Sequence, residues 1–168
     1  MDAMARFQRD CTAFFQTLYP GGQSPLVFGA GLAKKPVLML IGEAPGEQEA
    51  LQGKPFVGKA GKNLEGFLEV LGLRRGEIYV TNTVKLRPTK ISAAGRRVNR
   101  PPTREEKELF RPWLMKEIAL VRPDALVTLG KFICGIKQLP IRHVVVDECQ
   151  DFSPYQVQLL RELKDLVA

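Results

Sequence analysis

At 168 residues the chain has the length of one domain, able to bury a core without disulfides. Its 45% hydrophobic and 26% charged residues are ordinary for a globular protein, and no apolar run approaches the ~18–20 residues of a membrane helix. Residues Met1 to Asp10 mix charged and apolar side chains and show no signal-peptide core, so a cytoplasmic, membrane-free monomer is expected.

The net charge of +7 is uneven. Lys85, Arg87, Lys90, Arg96, Arg97, Arg100 and Arg104 follow one another without an acid among them, in a stretch rich in Pro, Gly, Ser and Thr. That composition reads as a basic loop, and phosphate contacts from such loops supply most non-specific nucleic-acid affinity. Cys11, Cys134 and Cys149 are too few and too scattered for a disulfide framework or a four-thiolate metal site, and they read as free thiols. His143 is the single histidine, so no His-rich metal cluster is available.

In chain order, a helix is expected from Ala5 to Leu18, ended by Pro20-Gly21-Gly22. Continuous apolar runs predict strands at Val37–Ile41, Ile78–Thr81, Ala125–Leu129 and His143–Val146, each buried on both faces of a parallel sheet. Leu64, Phe67, Leu68 and Leu71 repeat at helical spacing with Gly72 as a stop. Thr103 and Glu106 form a capping box ahead of Phe110, Trp113, Leu114, Ile118 and Val121. Ser153, Pro154 and Gln156 open a last helix carried by Leu159, Leu160, Leu163 and Leu166. The alternation predicts an α/β fold, a three-layer α/β/α sandwich on a central, mostly parallel four-stranded sheet. Ligands of such sheets bind at the carboxyl ends of the strands, at a switch in strand order.

Chemistry-bearing residues gather at those ends. The first strand runs into Gly42-Glu43-Ala44-Pro45-Gly46-Glu47-Gln48-Glu49, where glycines let the backbone approach a ligand and carboxylates converge. Gly53-Lys54-Pro55-Phe56-Val57-Gly58-Lys59-Ala60-Gly61 presents one aromatic, and the second strand ends in Thr81-Asn82-Thr83-Val84-Lys85. An amide offering a donor and an acceptor, with a ring to stack on, makes a plausible pyrimidine pocket. Phe56 and Asn82 are both expected in loops at strand ends.

The order GEAPG, GKPFVGKAG, YVTNTVKLRP, NRPPTREE closely resembles the family 4 uracil-DNA glycosylases over roughly residues 25 to 135. The resemblance implies that Gly42, Ala44, Pro45 and Gly46 line the uracil and place the attacking water, that Phe56 stacks on the flipped base, and that Asn82 hydrogen-bonds its edge. It makes Glu43 and Glu49, with Asn82, the catalytic candidates, Ala44 standing where a related family has a water-orienting Asp. Lys85, Arg87, Arg96, Arg97 and Arg100 would meet DNA, with uracil-containing DNA as the partner. Iron-bearing members of the family hold a cluster on four cysteines. Two of those positions are Leu86 and Phe110 here, so no cofactor and no metal are expected.

The family's His-Pro loop, which donates to the uracil oxygen, is missing. In its place Asp147, Glu148, Gln150 and Asp151 resemble the Walker B segment of UvrD-like helicases. The nearest candidate for the phosphate loop such a segment needs, Gly53 to Ala60, has Ala60 where Ser or Thr must ligate magnesium, and follows a loop-like stretch, Gly46 to Gln52, instead of a strand. Residues 1–168 are therefore read as one glycosylase-like domain whose segment from about 141 to 168 is atypical, fused or truncated. The expected function is hydrolysis of deoxyuridine in DNA, weakened by the lost histidine. The alternatives are a binding module without catalysis and a helicase-derived nucleotide-binding fragment.

Overall fold

The computed structural model describes residues 2–20, 25–129 and 142–146. Helix α1 spans Ala3–Leu18, strand β1 Ala30–Gly31, β2 Leu38–Gly42, α2 Glu47–Gln52, α3 Lys59–Leu71 and β3 Tyr79–Asn82. There follow β4 Thr89–Ile91, β5 Arg97–Asn99, α4 Arg104–Val121, β6 Ala125–Leu129 and β7 Arg142–Val146. The expected last helix, Cys134, Cys149 and the Walker B-like residues lie outside the described residues.

All four expected strands are present, in the order β3-β2-β6-β7, mutually parallel, with β1 adding two antiparallel residues beside β3. The sheet is central because its middle strands are apolar on both sides. Leu38, Leu40, Val80 and Val127 face Leu64, Phe67, Leu68 and Leu71 of α3. Met39, Ile41, Tyr79 and Leu126 face Leu114, Ile118 and Val121 of α4. Helix α1 packs on α4 through Phe7 and Phe15, the latter stacked on Phe110 at 4.0 Å between ring centres. Three layers result, helices on either face of the sheet.

The helix boundaries follow local chemistry. Thr103 accepts from the Glu106 N–H at 3.2 Å and Glu106 returns a bond from the Thr103 N–H at 2.7 Å, closing the expected box on α4. Helix α3 stops at Gly72, in the left-handed conformation.

Two expectations need correction. Residues Gly46–Gln52 are not loop-like: Glu47–Gln52 is helical, a run of good helix formers ended by Gly53 in left-handed conformation. The basic stretch is not a plain loop either. Thr89–Ile91 and Arg97–Asn99 pair as an antiparallel ribbon, Lys90 opposite Val98, turning through Ser92–Gly95.

Candidate active site

The chain leaves β2 for β3 on one side of the sheet and later returns to β6 on the other, so strand order switches at β2. At the carboxyl end of β2 lies a cavity of about 370 Å³, within the roughly 300–1,000 Å³ of small-molecule sites. Gly42 from β2, Asn82 from β3 and Leu129 from β6 wall it.

Gly42 is required by close approach. A side chain there would strike the Asn82 amide oxygen and stand 2.7 Å from Phe56 Cζ. The three residues singled out from different motifs thus meet at one point. Phe56 is not simply a loop residue. It is 7% exposed and packs in the core with Leu40 and Leu64, while its ring also forms cavity wall. Its backbone φ of 55° is left-handed, a conformation that a non-glycine residue keeps only where its surroundings over-determine it. They do so here. Arg75 donates to the Pro55 carbonyl at 2.5 Å, and α3 begins so close behind that any side chain at Gly61 would meet the Phe56 carbonyl. Asn82 is the last residue of β3, 4% exposed, and so belongs to the sheet and not to a loop.

The two glutamates have different situations. Glu49, 8% exposed, accepts the backbone N–H groups of Gly46 (3.1 Å), Val57 (3.1 Å) and Gly58 (2.7 Å). It ties the loop after β2 to the loop carrying Phe56, so it acts as a positioning carboxylate. Glu43 lines the cavity at its mouth, half exposed, with its carboxylate 2.7 Å from the Lys107 ammonium of α4. Ala44 and Gly46 also line the cavity, and Pro45 is buried in the turn between them. Sequence reasoning missed Lys59, Asn63 and Asn99 as lining residues. Asn99 had a signal, since it opens the last matching motif.

The five expected DNA-binding cations divide. Lys85 is fully buried and cannot meet DNA. Its three ammonium hydrogens are matched by Thr81 Oγ1, the Asn82 carbonyl and Glu117 Oε2, each at 2.6 Å. Glu117 Oε1 also accepts from the Tyr79 hydroxyl at 2.9 Å. Burial, then the Glu117 charge, raises the Tyr79 pKa and keeps its hydroxyl a donor. Arg100 is engaged with Glu106 through two bonds of 2.7 Å, which hold the carboxyl below its ordinary range. Arg87 bonds Asn99 (2.7 Å) and Glu47 (3.2 Å) at the cavity rim. Arg96 and Arg97 stand exposed on the ribbon.

Leu86 and Phe110 sit with Cys11, Phe15 and Val84 in one apolar cluster, each of these five at most 5% exposed. Neither replacement can ligate iron. Burial also pushes the Cys11 thiol up to about 12 despite the nearby Lys85 charge, so it stands as a protonated thiol packed in that cluster. The described residues here do not fit an iron–sulfur cluster. His143 pairs in register with Leu126, while Val146 pairs with the cavity residue Leu129, so His143 occupies a position away from the cavity end of β7.

Fold and site together define an α/β domain with a small-molecule pocket at its topological switch. The profile of the Uracil DNA glycosylase superfamily matches residues 28–153, and the chain belongs to that superfamily. It is similar to a type-4 uracil-DNA glycosylase of Archaeoglobus fulgidus, 42% identical over 99 residues, 59% of this chain and 46% of that protein. It is also similar to the type-4 enzymes of Pyrobaculum aerophilum (43% over 93 residues; 55% and 43% of the two chains) and Thermotoga maritima (40% over 93 residues; 55% and 44%). Each match spans less than half the length of the relative. The fold is similar to that of SMUG2 from Pedobacter heparinus, with a TM-score of 0.53 at 14% identity, covering 92% of this chain and 77% of that one. Among the described residues no helix is long and apolar enough to cross a membrane.

Proposed function

We propose that this chain is a uracil-DNA glycosylase of base excision repair, a cytoplasmic monomer built as one domain. It hydrolyses the N-glycosidic bond of deoxyuridine in DNA, releasing uracil and leaving an abasic site. The observation that carries this reading is the meeting of the Phe56 ring, the Asn82 amide and the Gly42 backbone in one cavity at the sheet's switch point.

In this reading the extruded uracil stacks on Phe56 and pairs its polar edge with Asn82, repaying the cost of unstacking. The bond from the sugar C1′ to the base breaks with its electron pair on uracil, water adds to C1′, and the proton that water gives up ends on the released uracil. Glu43, held by Lys107 at the cavity mouth, is the carboxylate placed to face the sugar cation and orient that water. Glu49 acts through the loops it ties together. Arg96 and Arg97 supply phosphate contacts.

The experiment is abasic-site formation on a uracil-containing single strand. Excision is expected to be measurable but slower than in family members that carry the His-Pro loop, because one donor to the leaving uracil anion is lacking. No excision by the parent, with full excision when Asp147 to Phe152 is replaced by such a loop, would favour the binding module instead. The protein is further expected to be colourless, since Leu86 and Phe110 fill cluster positions with apolar side chains. Stoichiometric iron with a broad visible absorbance would overturn that packing argument.

A further inference from the structure

Among the described residues two large apolar side chains stand more than half exposed, Leu51 at 75% and Ile91 at 66%. Ile91 is set apart by its neighbours. It ends β4 after the exposed Lys90 and pairs across the ribbon with the exposed Arg97, which the exposed Arg96 precedes. Cross-strand partners share a face of a ribbon, and so do residues two apart along a strand. The next pair toward the root is Thr89 with Asn99, so Asn99, Arg97 and Ile91 lie on one face. Asn99 lines the cavity and accepts from Arg87 at 2.7 Å. The face that walls the cavity therefore continues outward, by a step of about 7 Å, to an apolar side chain beside cations.

The ribbon is held at its base and at its tip. Arg100 donates to the Thr89 carbonyl at 3.1 Å while gripping Glu106 of α4. At the tip the Ser92 N–H donates to the Arg96 carbonyl at 2.8 Å, and the Arg96 N–H to the Ser92 hydroxyl at 3.2 Å. Ile91 takes no part in the core clusters around the sheet and α1, so its exposure contributes nothing to the packing there.

We infer that this ribbon is a wedge for duplex DNA. Ile91 enters the base stack at the gap left by the nucleotide whose base fills the cavity, while Arg97 opposite it and Arg96 at the turn take the flanking phosphates. The inference rests on the nucleobase reading of the cavity given above. An apolar side chain between bases replaces stacking contacts that the extruded base gives up, and the cations hold the bent backbone around it. A single strand has no intact stack to fill, so the wedge acts on duplex alone.

The test uses a duplex carrying 2-aminopurine beside uracil, whose fluorescence rises on unstacking whether or not uracil is excised. The parent is expected to raise it on binding. Ile91→Ala should cut the rise by at least about fivefold and Ile91→Leu should keep it. Binding of a uracil-containing single strand, read by anisotropy, should be unchanged in both variants. An equal rise from Ile91→Ala, no rise from the parent, or a matching loss of single-strand binding would each overturn the wedge. The cavity's own reading is judged separately. A parent that unstacks the duplex yet binds uracil and thymine single strands alike would sink the base assignment and leave the wedge standing.

Discussion

Glu117→Ala is expected to destabilise the protein by about 3–5 kcal/mol, the usual cost of removing one partner of a buried ion pair. The carboxylate has no exposed surface and is the acceptor for Lys85, Tyr79 and Thr81. Without it a buried ammonium and two hydroxyls lose their shared partner, and water cannot reach them cheaply. Against a total stability of roughly 5–15 kcal/mol for a domain, a loss of that size is a large fraction of the whole. The urea midpoint measures it. Lys85→Met with Glu117→Leu should cost less than Glu117→Ala alone, because the pair then leaves together and apolar groups fill its space. A double variant as unstable as the single one would show that packing volume, and not the stranded charge, sets the loss.

That buried pair also shows where sequence reading stopped. Lys85 was grouped by charge with the basic stretch that follows it, and charge along a chain carries no depth. Its neighbours pointed the other way. Val84 and Leu86 on either side of it pack with Cys11, Phe15 and Phe110, an apolar setting that draws Lys85 inside, where it meets Glu117 of α4. Glu117 carried the matching signal, lying three residues after Leu114 and four before Val121 on the apolar stripe of α4. An acid on such a stripe needs a buried partner. The strands, by contrast, were legible to within a residue or two, because both faces of a parallel sheet are covered and the runs are unbroken.

The ribbon was illegible for a different reason. Its alternation of Thr89, Lys90 and Ile91 against Arg97, Val98 and Asn99 is only three residues long on each side, and polarity outweighed pattern. Helix α2, six residues flanked by Gly and Pro, is too short to show a period. The motif order brought Gly42, Phe56 and Asn82 to one place, but it could not tell that Phe56 is core and wall at once. Phe56→Ala therefore mixes lost stacking with lost packing, which makes Asn82 the cleaner probe of recognition.

Asn82→Ala is expected to lower single-turnover uracil excision by about 10²–10³, the usual cost of removing one positioned hydrogen-bonding group from a developing charge. The amide ends β3 with its oxygen against Gly42, inside the cavity and on the one strand end that Lys85 fixes through the Asn82 carbonyl. Lys85 binds the main chain, so truncating the side chain leaves that anchor in place, and the fold should lose only about 1 kcal/mol. Asn82→Asp keeps the shape but replaces the donor with a second acceptor, which opposes the uracil oxygen and the anion forming on it. It should excise as poorly as the alanine variant while melting near the parent. Binding of free uracil should fall in both. Excision by either variant at the parent's rate, with both still folded, would remove Asn82 from the site and leave the cavity's specificity to Phe56 and the backbone of the loop after β2.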